Sequence, residues 1–90
     1  MPQPMRRKAS EQVMVQLIEA DVDIGFSLVD EAKAYRADGN TAFSARALHD
    51  ANEAVADIER RLAQLGDSQA HPFLPLLAEL REQIASVTEN

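Results

Sequence analysis

Apolar residues recur at intervals of three and four along most of this 90-residue chain, which is the spacing of one face of an α-helix. The pattern predicts a first helix from about Ser10 to Ala37, with a length of about 40 Å at 1.5 Å per residue. Ser10 is placed to cap its N-terminus. The residues assigned to its apolar face are Met14, Leu17, Ile18, Val22, Ile24, Leu28, Val29, Ala32 and Tyr35.

The segment Asp38-Gly39-Asn40 is predicted to end the first helix and to begin the second. Glycine adopts the left-handed conformation that closes a helix, and asparagine caps the helix that follows. The second helix is predicted from about Thr41 to Leu65. Its apolar stripe consists of small and aliphatic residues: Ser44, Ala47, Leu48, Ala51, Ala54, Val55, Ile58, Leu62 and Leu65.

A third, shorter helix is predicted from about Phe73 to Thr88, after a loop that begins at Gly66. Pro72 and Pro75 fit only its first turn, where a missing amide costs little. Its coiled-coil-like seam consists of Phe73, Leu77, Leu80, Ile84 and Val87. The predicted fold class is all-α: an antiparallel three-helix bundle over residues 10–88, with two long helices and one shorter C-terminal helix.

Charge and composition narrow the classes of partner. The net charge is −6, and without the basic residues Arg6, Arg7 and Lys8 the remainder carries six basic and fifteen acidic residues, a balance of −9. Such an acidic body repels phosphate, so no nucleic-acid partner is expected. Residues 1–9 are predicted to be a flexible basic N-terminal tail. No apolar run reaches the ~20 residues of a membrane span, and we expect a cytoplasmic protein.

The unequal lengths of the predicted helices leave one end of the first hairpin without a third layer. A third helix of about 24 Å is expected to reach only Ser27 on the first helix and His49 on the second. Exposed apolar and aromatic side chains beyond that point favour contact with a protein partner or with a second copy of the chain. The alternative is that they cover one another. The candidate partner-binding residues are Leu28, Tyr35, Phe43 and Ala47.

Asp21 is the candidate buried polar residue, because it lies in the middle of the apolar face of the first helix. A buried carboxylate is costly unless it is paired or protonated. One interpretation is a functional polar contact in a groove. The other is structural, with Asp21 accepting bonds from a serine or arginine near a helix end, or from Ser68, Gln69 or His71.

No set of residues predicts a catalytic, cofactor or metal site. His49 and Glu53 have the spacing of two metal ligands, but no second histidine is near in sequence, and both point away from the apolar stripe. The chain has no cysteine, no Ser/His/Asp arrangement for nucleophilic catalysis, and no glycine pattern that cradles phosphate. We therefore expect a protein that is not an enzyme and that has no cofactor.

The turn between the first two helices resembles a tetratricopeptide-type hairpin. Ala32, Tyr35, Gly39, Ser44, Leu48 and Ala51 have its spacing of a small residue, an aromatic, a glycine and then small, large and small residues. The unequal three-helix arrangement is also similar to the microtubule-interacting-and-trafficking module. Both families bind short peptides, which implies a peptide groove along the bundle. The likeness covers less than a quarter of the chain, and no second repeat follows.

The expected function is that of a non-enzymatic protein–protein interaction or assembly module that uses an apolar groove or the hairpin tip. Three alternatives stay open. The chain would be a small regulatory or chaperone-like subunit of a larger enzyme complex, a self-associating structural helical protein, or a metal-handling bundle.

Overall fold

The computed structural model describes residues 4–89, with side chains from Ser10 onward. Three principal helices form the bundle among these residues, and none of the described residues forms a strand. The elements are α1 (Pro4–Ala37), α2 (Thr41–Leu62), the one-turn α3 (Asp67–Ala70), a 3₁₀ turn (His71–Phe73) and α4 (Leu74–Glu89). The predicted all-α bundle with two long helices and one shorter C-terminal helix is confirmed. No helix in the described range combines the length and apolarity needed to cross a membrane.

The turn between α1 and α2 closes both helices with hydrogen bonds. Gly39 has a φ of +79°, the left-handed conformation that the sequence predicted for it. Its N–H donates to the Arg36 carbonyl at 3.0 Å, and the Asn40 N–H donates to the Tyr35 carbonyl at 2.8 Å. The Asn40 side chain accepts from the Phe43 N–H at 3.1 Å. This Schellman closure and N-cap fold α2 back along α1.

The core is a single cluster in which each helix contributes residues spaced by three or four. On α1 the buried positions, which we call the inner seam, are Ile18, Val22, Gly25, Val29 and Ala32. All five residues of the seam predicted for the third helix are buried, from Phe73 to Val87. The contribution of α2 is mostly small: Ser44, Ala47, Ala51, Ala54, Val55, Ile58 and Leu62.

Small residues let α1 and α2 lie close together near the turn. Ala32 and Ala51 are fully buried, and Ser44 is only 3% exposed. The Ser44 hydroxyl donates to the Ala32 carbonyl at 2.9 Å, a buried bond between the two helices. Because a larger side chain at these positions would separate the backbones, the contact restricts them to alanine and serine.

The element boundaries differ from the predicted ones in three places. The first helix begins at Pro4, so Ser10 lies inside it and does not cap it. The second helix ends at Leu62, and α3 occupies part of the predicted loop. Residues 1–3 and the side chains of residues 4–9 lie outside the described part, so the flexible basic tail over residues 1–9 stays a prediction.

The end of α4 reaches further along α1 than the sequence predicted. The Arg36 guanidinium donates to the Val87 carbonyl at 2.7 Å, which fastens the last turn of α4 beside the last turn of α1. On α2, Ile84 and Thr88 line a cleft with Asn52. The expected limit at Ser27 on α1 is therefore wrong. The tip is not left bare by a short third helix, because α4 covers one side of it.

Gly25 is where α1 and α4 approach most closely, and the sequence gave no expectation for it. A Cβ at this position would lie 2.7 Å from Leu80 Cδ2, and Leu80 is fully buried. The absence of a side chain at Gly25 therefore lets Leu80 fill the space between the helices.

We predict that Gly25→Val destabilises the protein by about 1–3 kcal/mol, because the added methyl groups overpack the site of Leu80. Ser27→Val is the matched control, since Ser27 lies on the same helix and is exposed. Thermal unfolding followed by circular dichroism compares the two variants. Equal melting temperatures would contradict the close approach of α1 and α4.

Candidate interaction surface

A second set of α1 residues, which we call the outer seam, runs beside the inner seam and is left uncovered. Its members are spaced by four, three, four, three and four residues: Leu17, Asp21, Ile24, Leu28, Glu31 and Tyr35. Leu17 is 42% exposed and Ile24 is 51% exposed, although both were predicted to belong to the buried apolar face. Leu28 and Tyr35 are half-buried. A heptad-like seam with large apolar residues is the pattern by which a helix packs on another helix.

One edge of α2 lies beside the outer seam and extends the exposed surface. Phe43 is 49% exposed, while Ala47 and Ala54 are buried against α1. Two contacts fix the alignment of the strips, namely Tyr35 with Phe43 and Asp21 with Arg61. We call the combined surface the outer face. It consists of the outer seam and the α2 residues Phe43, Arg46, Ala47, Asp50, Ala54, Asp57 and Arg61.

All four candidate partner-binding residues lie in one cleft at the end of the outer face nearest the turn. The Tyr35 and Phe43 rings pack edge to face, with centroids 5.4 Å apart. The cleft has a volume of about 260 Å³ and is lined by Leu28, Glu31, Tyr35, Phe43, Arg46, Ala47 and Asp50. The aromatic rings cover each other in part, as the alternative interpretation required, but half of Phe43 still faces solvent. Partner binding by these residues stays a prediction.

Asp21 is partly buried at the other end of the outer face, beside Arg61 from the last turn of α2. Asp21 Oδ2 lies 3.2 Å from Arg61 Nε, with 18% of the Asp21 side chain and 31% of the Arg61 side chain exposed. Among the described residues this buried oxygen accepts no well-aligned hydrogen bond. The contact is therefore an ion pair between α1 and α2. Of the donors considered from sequence, an arginine near a helix end is the one that lies there.

We predict that Asp21 and Arg61 are coupled by about 0.5–1 kcal/mol, the range for an ion pair that is partly exposed. A double-mutant cycle of Asp21→Asn and Arg61→Gln, measured by urea unfolding, gives this coupling. It should fall as salt is raised. The cycle for Asp57 and Arg60, an ion pair within α2, is the control and should give a smaller value. Zero coupling at low salt would contradict the ion pair.

His49, Asp50 and Glu53 form the one group in the described residues whose side-chain atoms lie close enough to share a cation, within 4.8 Å of one another. His49 Nε2 lies 3.1 Å from Glu53 Oε1, and all three residues are exposed. Such a cluster is common on a solvated helix, and neighbouring elements contribute no further ligand to it among the described residues. The expectation of no metal site stays a prediction.

A second cleft, which the sequence did not suggest, lies between the end of α2 and the start of α4. It has a volume of about 580 Å³, and Leu62, Ala70, Leu74 and Leu77 form its apolar part. Leu74 is half exposed there. The exposed Leu74 and Leu76 give the surface near α4 apolar area comparable to that of the outer face, but without a repeating seam.

Comparison of the chain with protein-family models, with curated proteins and with solved structures found no significant match. The resemblance to a tetratricopeptide-type hairpin or to a microtubule-interacting-and-trafficking module receives no support from these comparisons and stays a prediction.

Proposed function

We propose that this chain is a non-enzymatic protein-interaction or assembly module that binds its partner through the outer face. The observation that supports this proposal is the uncovered outer seam on α1. Leu17 and Ile24 are about half exposed, and they continue a regular helical spacing instead of standing singly. Isolated apolar residues are normal on a protein surface, whereas a continuous row with helix-packing periodicity is typical of a contact surface.

Helix-on-helix docking is the mode of binding that suits this surface. The outer face is a shallow trough between α1 and α2, and an apolar helix in such a groove buries its side chains at intervals of three and four residues. Burial of one aliphatic or aromatic side chain contributes roughly 1.5–3 kcal/mol. Ile24 and Phe43 would therefore supply much of the affinity.

The charges of the outer face would set orientation and selectivity. Asp21, Glu31, Asp50 and Asp57 lie on it together with Arg46 and Arg61. Charged groups around an apolar centre determine which partner fits and in which direction more than they determine affinity. With this acidic surface we propose a protein partner in the cytoplasm and no nucleic-acid partner.

We predict that replacing apolar residues of the outer face abolishes partner recovery. The outer-face variant is Ile24→Gln with Phe43→Gln. Both side chains are about half exposed, so the substitutions should leave the fold intact. The matched control is Leu74→Gln with Leu76→Gln, which removes exposed apolar area on α4. Affinity purification from the native lysate should recover the same proteins with the wild type and the control, and lose them with the outer-face variant.

Equal recovery by the two variants would contradict the proposal, because binding would then not depend on the outer face. Loss of recovery with the α4 control alone would move the binding surface to the cleft between α2 and α4. If the recovered protein is an enzyme, the chain acts as its regulatory subunit, and the outer face is the surface that docks on it.

A further inference from the structure

We infer that the occupant of the outer face is a second copy of this chain, docked antiparallel so that the two α1 helices lie along each other. The inference rests on the proposed function, because it takes the outer face as the docking surface. Three properties of the molecule favour a second copy: its exposed area, the symmetry of the outer seam and the arrangement of charges.

The exposed area is larger than expected for a single molecule of this size. The accessible surface is 6189 Å² for a mass of 9.9 kDa. A monomeric globular protein of this mass exposes about 5,200 Å² on average. The excess of about 1,000 Å² is similar to the roughly 800 Å² that each partner buries in an interface of standard size. The outer seam is about 27 Å long from Leu17 to Tyr35, and two helices form its width.

The outer seam reads the same in both directions along α1. From Leu17 to Tyr35 the residue classes are apolar, acidic, apolar, apolar, acidic, apolar, and the spacings are also symmetric about a point between Ile24 and Leu28. A two-fold axis through that point places Leu17 against Tyr35 of the second copy, and Ile24 against Leu28. Such self-complementarity is what an interface between two identical surfaces requires.

A parallel dimer fits the same surface less well. A two-fold axis along the helices would place α1 of one copy over α2 of the other at the same level. Leu28 and Asp50 line the same cleft and so lie at one level. Leu28 would then face Asp50 of the second copy, and an apolar side chain would meet a carboxylate at the centre of the interface. The antiparallel arrangement avoids this conflict.

The charges of the outer face compensate one another in the antiparallel arrangement. Each copy has an Asp21–Arg61 ion pair at one end and Glu31 with Arg46 around the cleft at the other. The two-fold axis brings the first group of one copy to the second group of the other. Each cluster then holds two carboxylates and two guanidinium groups. Two copies with a net charge of −6 repel elsewhere, so a neutral cluster favours this face as their contact.

The test is sedimentation velocity of the purified chain over a range of concentrations. The wild type should form a dimer of twice 9.9 kDa, and the Leu74→Gln, Leu76→Gln control should behave in the same way. Ile24→Gln should raise the dissociation constant by roughly 100-fold, because each substitution occurs twice in a two-fold interface. Ile24→Ala, which favours the helix, is a second variant that should also weaken the dimer.

The orientation is tested by disulfide formation, since the chain has no cysteine of its own. Protein with Leu17→Cys is mixed with protein carrying Tyr35→Cys and oxidised. An antiparallel dimer should give the mixed disulfide in preference to either symmetric one, because the two positions face each other across the axis. Only symmetric disulfides, or none from a dimer, would overturn the antiparallel arrangement.

The failure of this inference is distinguishable from the failure of the proposed function. A wild type that stays monomeric at every concentration, while the lysate still yields a partner that depends on Ile24 and Phe43, overturns the second copy and leaves the proposed function standing. A dimer that Ile24→Gln does not weaken places the dimer contact elsewhere and overturns the inference. A monomer whose partners do not depend on the outer face overturns both.

Discussion

The close packing of α1 against α2 is the constraint on which the rest of the molecule depends. Where the two helices meet, Ala32, Ser44 and Ala51 leave no room for larger side chains, and the Ser44 hydroxyl bonds directly to the Ala32 carbonyl. The large apolar residues of the hairpin therefore lie on its two flanks. On one flank α4 covers them, with Leu80 packed on Gly25. On the other flank the outer face stays open, because the chain supplies no fourth layer among the described residues.

Much of this architecture follows from local sequence signals. The glycine and asparagine of the turn specify left-handed backbone and an N-cap, so the position of the hairpin could be predicted closely. Gly39 and Asn40 adopt these roles. The spacing of Phe73, Leu77, Leu80, Ile84 and Val87 also identified the buried side of α4 correctly, because a short helix with one apolar stripe has one way to pack.

The remaining features depend on contacts between distant segments. Periodicity gave α1 one broad apolar face, but it does not show which half another helix covers, so Leu17 and Ile24 were assigned to the core and are exposed. The role of Gly25 depends on where Leu80 lies, and sequence spacing alone does not give that distance. The candidate cleft residues were identified from the expected shortness of the third helix. They do lie together, but on the side that α4 leaves open and not beyond its end.

The central claim is that a single molecule leaves the outer seam open and that docking closes it. The chain has four isoleucines, of which Ile18, Ile58 and Ile84 are buried and Ile24 is exposed. Methyl NMR with a soluble paramagnetic agent measures the accessibility of each one. In dilute solution only the Ile24 methyl should relax strongly, and it should become protected as the concentration rises. An Ile24 methyl as protected as that of Ile18 in dilute solution, or one that stays accessible at every concentration, would contradict this account.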